Sequence, residues 1–241
     1  MIKDELFTIV SNRPLNALVY EMVLSGDTSL IARPGQFIDI EIEGKYLRRP
    51  ISISDYDATT LTIVYKVVGE GTKKMSEMTP CQTLKALISL GNGFDPNVEA
   101  KNIAVIGGGV GIPPLVNLAK KLKMRDKKVT VLMGFNTASD AYYLDKFGFC
   151  DETRVATVDG SIGTKGFVTA LMKEGEFDYF YSCGPEPMLN SLLKTGMDGQ
   201  LSYEARMGCG FGVCMGCSCK TKLGTKRICK DGPVMTAEEM R

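Results

Sequence analysis

The sequence contains neither histidine nor tryptophan. Without histidine the chain cannot ligate a Rieske cluster or an imidazole-bound metal, and it lacks the commonest general acid–base residue. Without tryptophan, any aromatic stacking on a cofactor must come from tyrosine or phenylalanine. These absences favour chemistry that bound cofactors carry, rather than acid–base chemistry by side chains.

A strong net charge and long apolar runs are also missing. The 29 basic and 28 acidic residues give a net charge of +1, so we expect neither a nucleic acid nor a membrane partner. No apolar run reaches the length of about 20 residues that a membrane span needs. The N-terminus has early acidic residues and no apolar core, unlike a signal peptide. With its eight cysteines, the chain is expected in the reducing cytoplasm.

The most informative segment is rich in cysteine and glycine and runs from Arg206 to Asp231. Four cysteines in it have C-x4-C-x2-C spacing with a distant fourth member, which is typical of plant-type [2Fe–2S] ferredoxins. These predicted cluster ligands are Cys209, Cys214, Cys217 and Cys229. The interleaved glycines allow backbone N–H groups to approach the negatively charged sulfurs.

Two other interpretations of these cysteines compete with the cluster. Structural zinc usually takes two short C-x2-C pairs, which a four-residue first gap and a lone fourth ligand fit poorly. A disulfide framework needs an oxidising compartment, which nothing in the sequence indicates. Cys219 lies outside the spacing, and we interpret it as a spare thiol near the cluster.

The first part of the chain, from residue 5 to about residue 97, consists of short β-like runs separated by Gly, Pro, Asp and Asn. This pattern predicts an antiparallel sandwich or small barrel, with a weak helix signal near GTKKMSEM. Arg49-Pro50-Ile51-Ser52 offers an arginine fork to a diphosphate, and Gly69-Glu70-Gly71-Thr72 offers free N–H groups at a helix start. Either segment alone is more often a strand edge or a simple turn.

From Lys101 the pattern changes to alternating strands and helices, which predicts a doubly wound parallel sheet. The predicted strands are NIAVIGG, VTVLMGF, RVATVDG and FDYFYSCG, and the predicted helices are VNLAKKLK, GFVTALMKE and EPMLNSLLK. We therefore divide the chain into a β-barrel domain (1–98), an α/β domain (99–200) and a cluster domain (201–241). The tail VMTAEEMR should form a closing strand or a short helix.

The turn from Gly107 to Pro114 joins the first of these strands to the first helix, where such sheets receive a dinucleotide diphosphate. Ile112 breaks the G-x-G-x-x-G fingerprint, so a simple glycine-rich turn stays an alternative. The segment from Gly134 to Ser139 has no Arg or Lys for a ribose 2′-phosphate, which favours NAD over NADP, although the usual acidic residue is missing too.

The order of these motifs resembles the ferredoxin–NADP(H) reductase superfamily. Arg49 to Ser52 is similar to its flavin-binding R-P-x-S segment, Gly107 to Pro114 to its nucleotide loop, and Cys183-Gly184-Pro185 to its C-G-P motif. With the cysteine segment and the phrases LRRPISI, DGSIGTKGFVT and RICKDGPV, the whole chain resembles the electron-transfer subunits of NAD-dependent (class 1B) dihydroorotate dehydrogenases.

The resemblance implies the following cofactor contacts. FAD would contact Arg49, Pro50, Ile51, Ser52, Val64, Tyr65, Lys66, Gly71 and Thr72. NAD would contact Gly107, Gly108, Gly109, Gly111, Pro113, Asp159, Gly184 and Pro185, with Cys183 beside the nicotinamide. Cys183 could also be a core thiol, and Asp159 with Gly160 could be a simple turn.

The same resemblance implies an electron relay. Dihydroorotate would be oxidised at FMN in a separate catalytic subunit, with two copies of each subunit in a heterotetramer, and electrons would pass through the cluster and FAD to NAD⁺. A subunit of another redox assembly, of the sulfhydrogenase or NADH-dependent ferredoxin:NADP reductase type, is an alternative with the same motifs. A redox sensor or zinc-stabilised module is a third, against which the nucleotide loop and R-P-x-S segment argue.

Overall fold

The N-terminal part of the chain closes into a six-stranded antiparallel barrel in this computed structural model, which describes residues 2–241. The strands are β1 (Lys3–Pro14), β2 (Val19–Ser25), β3 (Phe37–Ile40), β4 (Arg49–Tyr56), β5 (Thr60–Lys66) and β6 (Thr83–Leu90). They pair in the order β1-β2-β5-β4-β3-β6, and α1 (Glu70–Ser76) connects β5 to β6. The prediction of a small antiparallel barrel is confirmed.

Alternating residues of the strands fill the barrel. Phe7, Met22, Ile38, Ile53 and Ile63 belong to one buried cluster inside it. Because successive side chains of a strand point to opposite faces, the intervening residues face outward. This outer face is where the barrel meets the second sheet, through Val19 and Val64 among others.

The second part is a mostly parallel sheet with helices on both faces, as predicted. Its strands include β7 (Asn102–Gly108), β8 (Lys128–Phe135), β9 (Glu152–Thr157), β10 (Thr164–Lys165), β11 (Tyr179–Cys183) and β12 (Gly199–Ser202). They lie in the order β10-β9-β8-β7-β11-β12, and Val234–Thr236 joins β12 as an antiparallel edge strand. β7 is central and buried on both faces, which explains its unbroken apolar run.

Two helices cover opposite faces of this sheet. Ile103 and Val105 pack with α2 (Leu115–Lys123), whereas Ala104 and Ile106 pack with α3 (Glu186–Leu193). The third predicted helix, GFVTALMKE, is wrong in length: only a 3₁₀ turn forms, at Val168–Leu171. It buries Val168 and Leu171, and the spacing of three residues suits a 3₁₀ turn.

After β12 the C-terminal segment leaves the edge of this sheet, and it later returns to pair with β12. It holds β13 (Ser218–Thr221), β14 (Gly224–Arg227) and α4 (Ile228–Asp231), and then returns as β15 (Val234–Thr236) and α5 (Ala237–Met240). The tail thus forms both the strand and the short helix that the sequence left open. β12 runs across the predicted boundary at 200/201 and pairs with β15, while the three-domain division itself stays a prediction.

Among residues 2–241, no helix has both the length and the apolar character that crossing a bilayer requires.

Candidate functional site

The predicted flavin segment and the predicted diphosphate turn meet in the structure. Arg49 begins β4, and its guanidinium lies so close to Gly71 that a β-carbon on that residue would overlap it. A larger side chain at position 71 would therefore displace the Arg49 guanidinium from this place. In the described chain only Nη1 of Arg49 donates to protein atoms, the carbonyls of Leu47 (2.5 Å) and Arg48 (3.2 Å). The remaining N–H groups fit a diphosphate fork.

The other residues predicted at this site have mixed placements. Pro50, Ile51 and Ser52 are half-buried along β4. The Thr72 hydroxyl accepts hydrogen bonds from the N–H groups of Val68 (2.9 Å) and Gly69 (3.2 Å), so it caps its own helix.

On β5 the predicted residues point in different directions. Tyr65 lies inside the barrel, where its hydroxyl donates to Asn12 at 2.9 Å, so its ring is unavailable to a cofactor and only its backbone could contribute. Val64 faces the second sheet, and Lys66 is exposed.

The predicted nucleotide turn packs directly on the C-G-P segment. Gly107 and Gly108 end β7, and a 3₁₀ turn follows at Gly109–Gly111. A β-carbon on Gly111 would overlap the Cys183 carbonyl, and one on Gly108 would lie 2.9 Å from Pro185. The structure thus brings these residues to one edge of the sheet, with Gly184 between them and Pro113 leading into α2.

Cys183 is a buried, neutral thiol at this edge. It is 2% exposed, and burial first and then the nearby Glu204 carboxyl raise its pKa to about 12. A thiol of this kind does not act as a thiolate nucleophile at neutral pH. It offers an apolar, polarisable surface instead.

Asp159 lies farther out on the same edge. It follows β9, which is separated from β7 by β8, and its carboxylate accepts from the N–H (3.0 Å) and hydroxyl (2.6 Å) of Ser161. These hydrogen bonds lower its pKa. Its own N–H donates to the carbonyl of Asn136 at 3.3 Å, so Asp159 neighbours the 134–139 turn rather than the glycine turn.

The four predicted cluster ligands lie in the same segment and associate as two pairs. The N–H of Cys214 donates to Cys209 Sγ, and the N–H of Cys229 donates to Cys217 Sγ. No three Cys, Asp or Glu side chains among residues 2–241 are arranged to hold a single metal ion. A [2Fe–2S] cluster needs four thiolates shared between two irons, so the paired arrangement fits it better than one tetrahedral zinc.

Backbone N–H groups point at these sulfurs. Cys209 Sγ accepts from Val213 (3.2 Å) and Cys214 (3.4 Å), and Cys217 Sγ accepts from Cys229 (3.4 Å). Burial opposes ionisation of Cys209, but these donors outweigh it and lower its pKa to about 6. Burial, followed by Cys217, raises the pKa of Cys229 to about 12. All eight cysteines are free thiols, and Cys219 packs beside the pair of buried ligands.

Contacts of Arg227 and of Gly210 hold the segment that carries the predicted ligands in place. Arg227 donates to both carboxylate oxygens of Asp231, at 2.9 and 3.1 Å, and also to the carbonyl of Gly212 at 2.9 Å. Gly210 lies against Asp39 of β3, where a β-carbon would be 2.5 Å from the carboxylate. The cluster loop therefore rests directly on the barrel.

Comparison with known proteins decides the family. Residues 204–241 match the family described as the iron–sulfur cluster binding domain of dihydroorotate dehydrogenase B. The dihydroorotate dehydrogenase B (NAD(+)) electron transfer subunit of Geobacillus sp. (strain WCH70) is 40% identical, covering 100% of this chain and 99% of that protein. The subunit of that name from Fusobacterium nucleatum is 41% identical, with 99% of each covered. The chain belongs to this family of electron transfer subunits.

Solved structures of other oxidoreductases share the fold of this chain. The structure of NADH-dependent reduced ferredoxin–NADP oxidoreductase, described in work on flavin-based electron bifurcation, has a TM-score of 0.86 and 30% identity over 98% of this chain and 89% of that one. The ferredoxin reductase in carbazole 1,9a-dioxygenase has a TM-score of 0.68 at 23% identity, covering 80% of this chain and 65% of that one, and shares the fold.

Membership confirms several predictions at once. The chain is an electron-transfer subunit of an oxidoreductase, and its cofactors are an iron–sulfur cluster, FAD and NAD. As a dihydroorotate dehydrogenase B electron transfer subunit it has a catalytic partner subunit. The contacts of individual residues with the cofactors stay predictions.

Two functional candidates at the predicted nucleotide edge, Glu204 and Tyr142, were not identified from the sequence. Glu204 follows β12, and its carboxyl lies close enough to Cys183 to raise the pKa of that thiol, while partial burial of the carboxyl raises its own pKa. Its position after a parallel strand was a usable signal. Tyr142, which donates to the Gly109 carbonyl at 2.9 Å, sits in a long loop and had no such signal.

Proposed function

We propose that this subunit carries electrons from the oxidation of dihydroorotate, at FMN in the catalytic subunit, through a [2Fe–2S] cluster and FAD to NAD⁺. One observation carries this proposal: the cluster loop and the predicted flavin segment are separated by a single strand. Gly210 lies against Asp39 of β3, and residues 37–40 of that strand pair with Ser52 to Arg49 of β4. Neighbouring strands lie about 4.8 Å apart, so both sites fit within one short electron-transfer path.

The cofactors supply the redox chemistry when bound, because FAD exchanges electron pairs with NAD and single electrons with the cluster. The residues of the chain bind and orient them. The free N–H groups of Arg49 would hold the flavin diphosphate, and the turn at Gly107–Gly111 would receive the nucleotide. Cys183, which stays neutral, and Glu204 would face the nicotinamide.

The oxidation of dihydroorotate requires a base that removes a proton from carbon. None of the residues predicted from the sequence for these sites supplies one, since the buried Cys183 thiol is neutral and Asp159 is engaged with Ser161. The substrate site is therefore expected on the catalytic subunit. We also propose two copies of each subunit in the complex and a cytoplasmic location.

The catalytic subunit would dock on an exposed apolar cap around the outer cluster ligands. Phe211, Val213 and Met215 surround Cys209 and Cys214 and are all exposed. We call these three residues the apolar cap. Single-electron transfer needs a close approach of the partner's redox group to the cluster. The apolar cap lies beside Cys214, the predicted ligand that is exposed, so docking on the cap would bring the partner close to the cluster.

Reconstitution tests this function. The purified subunit is mixed with the dihydroorotate dehydrogenase catalytic subunit, and NAD⁺ reduction by dihydroorotate is followed together with absorbance spectra. We expect activity only in the mixture. Flavin and [2Fe–2S] bands without complex formation or electron transfer would contradict the proposal and assign the subunit to another redox assembly.

A further inference from the structure

Two adjacent tyrosines in the loop between β8 and β9 connect the nucleotide turn to the barrel. The hydroxyl of Tyr142 donates to the carbonyl of Gly109 at 2.9 Å. The hydroxyl of Tyr143 donates to the carboxylate of Glu21 on β2. The turn and the barrel are thus joined through two side chains and a single peptide bond. We call Tyr142 and Tyr143 the tyrosine strut.

The barrel end of the strut is a buried charged group. Glu21 is 5% exposed, and Arg13 donates to its Oε1 through Nε (2.9 Å) and Nη2 (2.5 Å). Its Oε2 accepts from Tyr143. Hydrogen bonds to ionised groups in a buried setting are stronger and more directional than neutral ones. Burial, then the Glu21 carboxylate, raises the pKa of Tyr143, so its hydroxyl keeps the proton that it donates.

The backbone of the strut is held in an unfavourable conformation. Tyr143 has a φ of +61°, which bulky residues rarely adopt. Such a conformation persists only where the surroundings determine it, and strained residues of this kind are concentrated at functional sites. The Tyr142 ring packs against Phe135 and Tyr143 at centroid distances of 5.8 and 5.5 Å, and Asn16 donates to the carbonyl of Asp140 at 3.0 Å.

We propose that the tyrosine strut is a positioning device that sets the separation between the nucleotide turn and the flavin barrel. It rests on the proposed function, in which a hydride, two electrons with one proton, moves between the nicotinamide and the flavin. Transfer of this kind depends steeply on how closely donor and acceptor approach. Since the strut fixes the carbonyl of Gly109 relative to β2, it acts through the turn and not on the reacting atoms.

The interface offers a matched control for the strut. Lys121 of α2 donates to the Tyr56 hydroxyl at 2.7 Å, which is another tyrosine hydrogen bond between the sheet and the barrel. Lys121 lies nearly two helical turns beyond the start of α2, away from Gly109. Tyr56→Phe therefore removes a comparable interface bond without touching the strut.

The first experiment compares Tyr143→Phe with Tyr56→Phe in the FAD- and cluster-loaded subunit. FAD reduction is followed by anaerobic stopped flow, with NADH and with NADH deuterated at the transferred position. We expect Tyr143→Phe to slow reduction by about tenfold and to change the isotope effect, since a misplacement of about 1 Å can cost roughly a hundredfold. NAD⁺ affinity of the flavin-free protein, by calorimetry, should stay within about twofold, and Tyr56→Phe should change neither quantity.

A second measurement does not depend on catalysis. Hydrogen exchange of the 107–111 amides in the flavin-free protein should be faster in Tyr142→Phe and Tyr143→Phe than in wild type and Tyr56→Phe. Glu21→Gln should also speed this exchange, and adding Tyr143→Phe to Glu21→Gln should change the exchange little further, because both substitutions disrupt the hydrogen bond between Tyr143 and Glu21.

The outcomes separate the strut from the proposed function. Wild-type reduction and exchange rates in Tyr143→Phe would overturn the strut, as would equal losses in Tyr143→Phe and Tyr56→Phe. Failure of the wild-type subunit to accept electrons from NADH would overturn the proposed function instead. In that case the exchange rates alone would still decide whether the strut holds the turn.

Discussion

Each predicted cofactor site depends on the placement of a few side chains. Arg49 keeps free N–H groups beside Gly71, Cys183 is a neutral thiol against Gly111, and two pairs of cysteines face backbone donors. The first two arrangements depend on contacts between residues that are distant in the chain, whereas the cysteine pairs are local, and each arrangement can be tested by one substitution.

Replacement of Cys214 by serine should remove the cluster. Loss of one thiolate leaves an iron short of its ligands, so iron content and the [2Fe–2S] absorbance should fall to near zero. Electron exchange with the catalytic subunit should be lost while NADH still reduces FAD. Cys219→Ser is the control, because Cys219 lies outside the ligand pairs. This variant should keep the iron content of the wild type. Full complex activity in Cys214→Ser would show that the ligand assignment is wrong.

Replacement of Arg49 by alanine should weaken FAD retention. A charge-assisted hydrogen bond contributes about 1.5–3 kcal/mol, which corresponds to roughly a tenfold to hundredfold loss of affinity. The flavin-to-protein ratio after gel filtration measures this. Arg48→Ala is a suitable control, because Arg48 is paired with Asp4 and Glu41. Equal flavin content in both variants would exclude a diphosphate contact by Arg49.

Asp39 should make stability depend on pH. It is 2% exposed, its Oδ1 has no hydrogen-bond partner within the described chain, and burial raises its pKa to about 6 despite Arg48 and Arg49. Since the folded pKa exceeds the unfolded one, the contribution of Asp39 to stability is fully present below about pH 4 and is lost as the pH rises through about 6. With a folded pKa of about 6 and an ordinary unfolded pKa, this loss amounts to about 3 kcal/mol at pH 7.5.

Asp39→Asn should therefore raise the midpoint temperature of unfolding at pH 7.5. It should also reduce the fall of this temperature that Asp39 causes as the pH rises from about 4 to 7. Thermal unfolding across this pH range measures the effect. Asp57→Asn provides the opposite case, since backbone N–H groups lower the pKa of exposed Asp57 and its contribution is lost at low pH. A midpoint of Asp39→Asn that follows the wild type at every pH would rule out a raised pKa.

Among the helices and strands, the sequence predicts those whose apolar residues recur at a regular spacing. The barrel strands, β7, α2 and α3 follow from apolar periodicity, and the ligand spacing of the cysteines is local. GFVTALMKE has the same periodicity, but its two buried residues need only a single turn.

Contacts across the chain were not predictable from local patterns. The strut depends on a loop, and the meeting of Arg49 with Gly71 depends on barrel closure. Glu204 alone carried a positional signal, at the end of a parallel strand.

One side chain, that of Asn92, makes three hydrogen bonds between the end of β6 and the residues that follow the fourth predicted cluster ligand. Asn92 Nδ2 donates to the carbonyls of Val234 (2.7 Å) and Asp231 (3.2 Å), and its Oδ1 accepts from the Val234 N–H at 3.1 Å. Asn92→Ala leaves these backbone groups unpaired, at a cost of about 1–3 kcal/mol each where buried.

The expected result for Asn92→Ala is a lower unfolding midpoint and partial loss of iron, with flavin content unchanged. Asn97→Ala is the control, because Asn97 is exposed and does not contact the cluster segment. If iron is retained and the midpoint does not move, Asn92 does not anchor the segment.

On the surface of the whole molecule, the apolar cap lies beside Cys214, the exposed predicted ligand. A charge placed in the cap should weaken the complex with the catalytic subunit. Val213, in the apolar cap, is 74% exposed. Val213→Asp should raise the Kd for the catalytic subunit by about tenfold or more while iron and flavin contents stay normal, since an interface core excludes charge. Met124→Asp, at an 82% exposed position beyond α2, is the control. Equal affinities, measured by calorimetry, would place the interface elsewhere.

The pairing of β12 with β15 has a consequence for how the chain could be rebuilt. Ser202 and Val234 are directly opposite each other on antiparallel strands, so the ends of the cluster segment are only about 5 Å apart. A two-residue hairpin turn can close such a gap. Residues 203–233, which include Glu204, could then be excised as a cassette that leaves the pairing of β12 with β15 intact, and the same point could accept a different redox module.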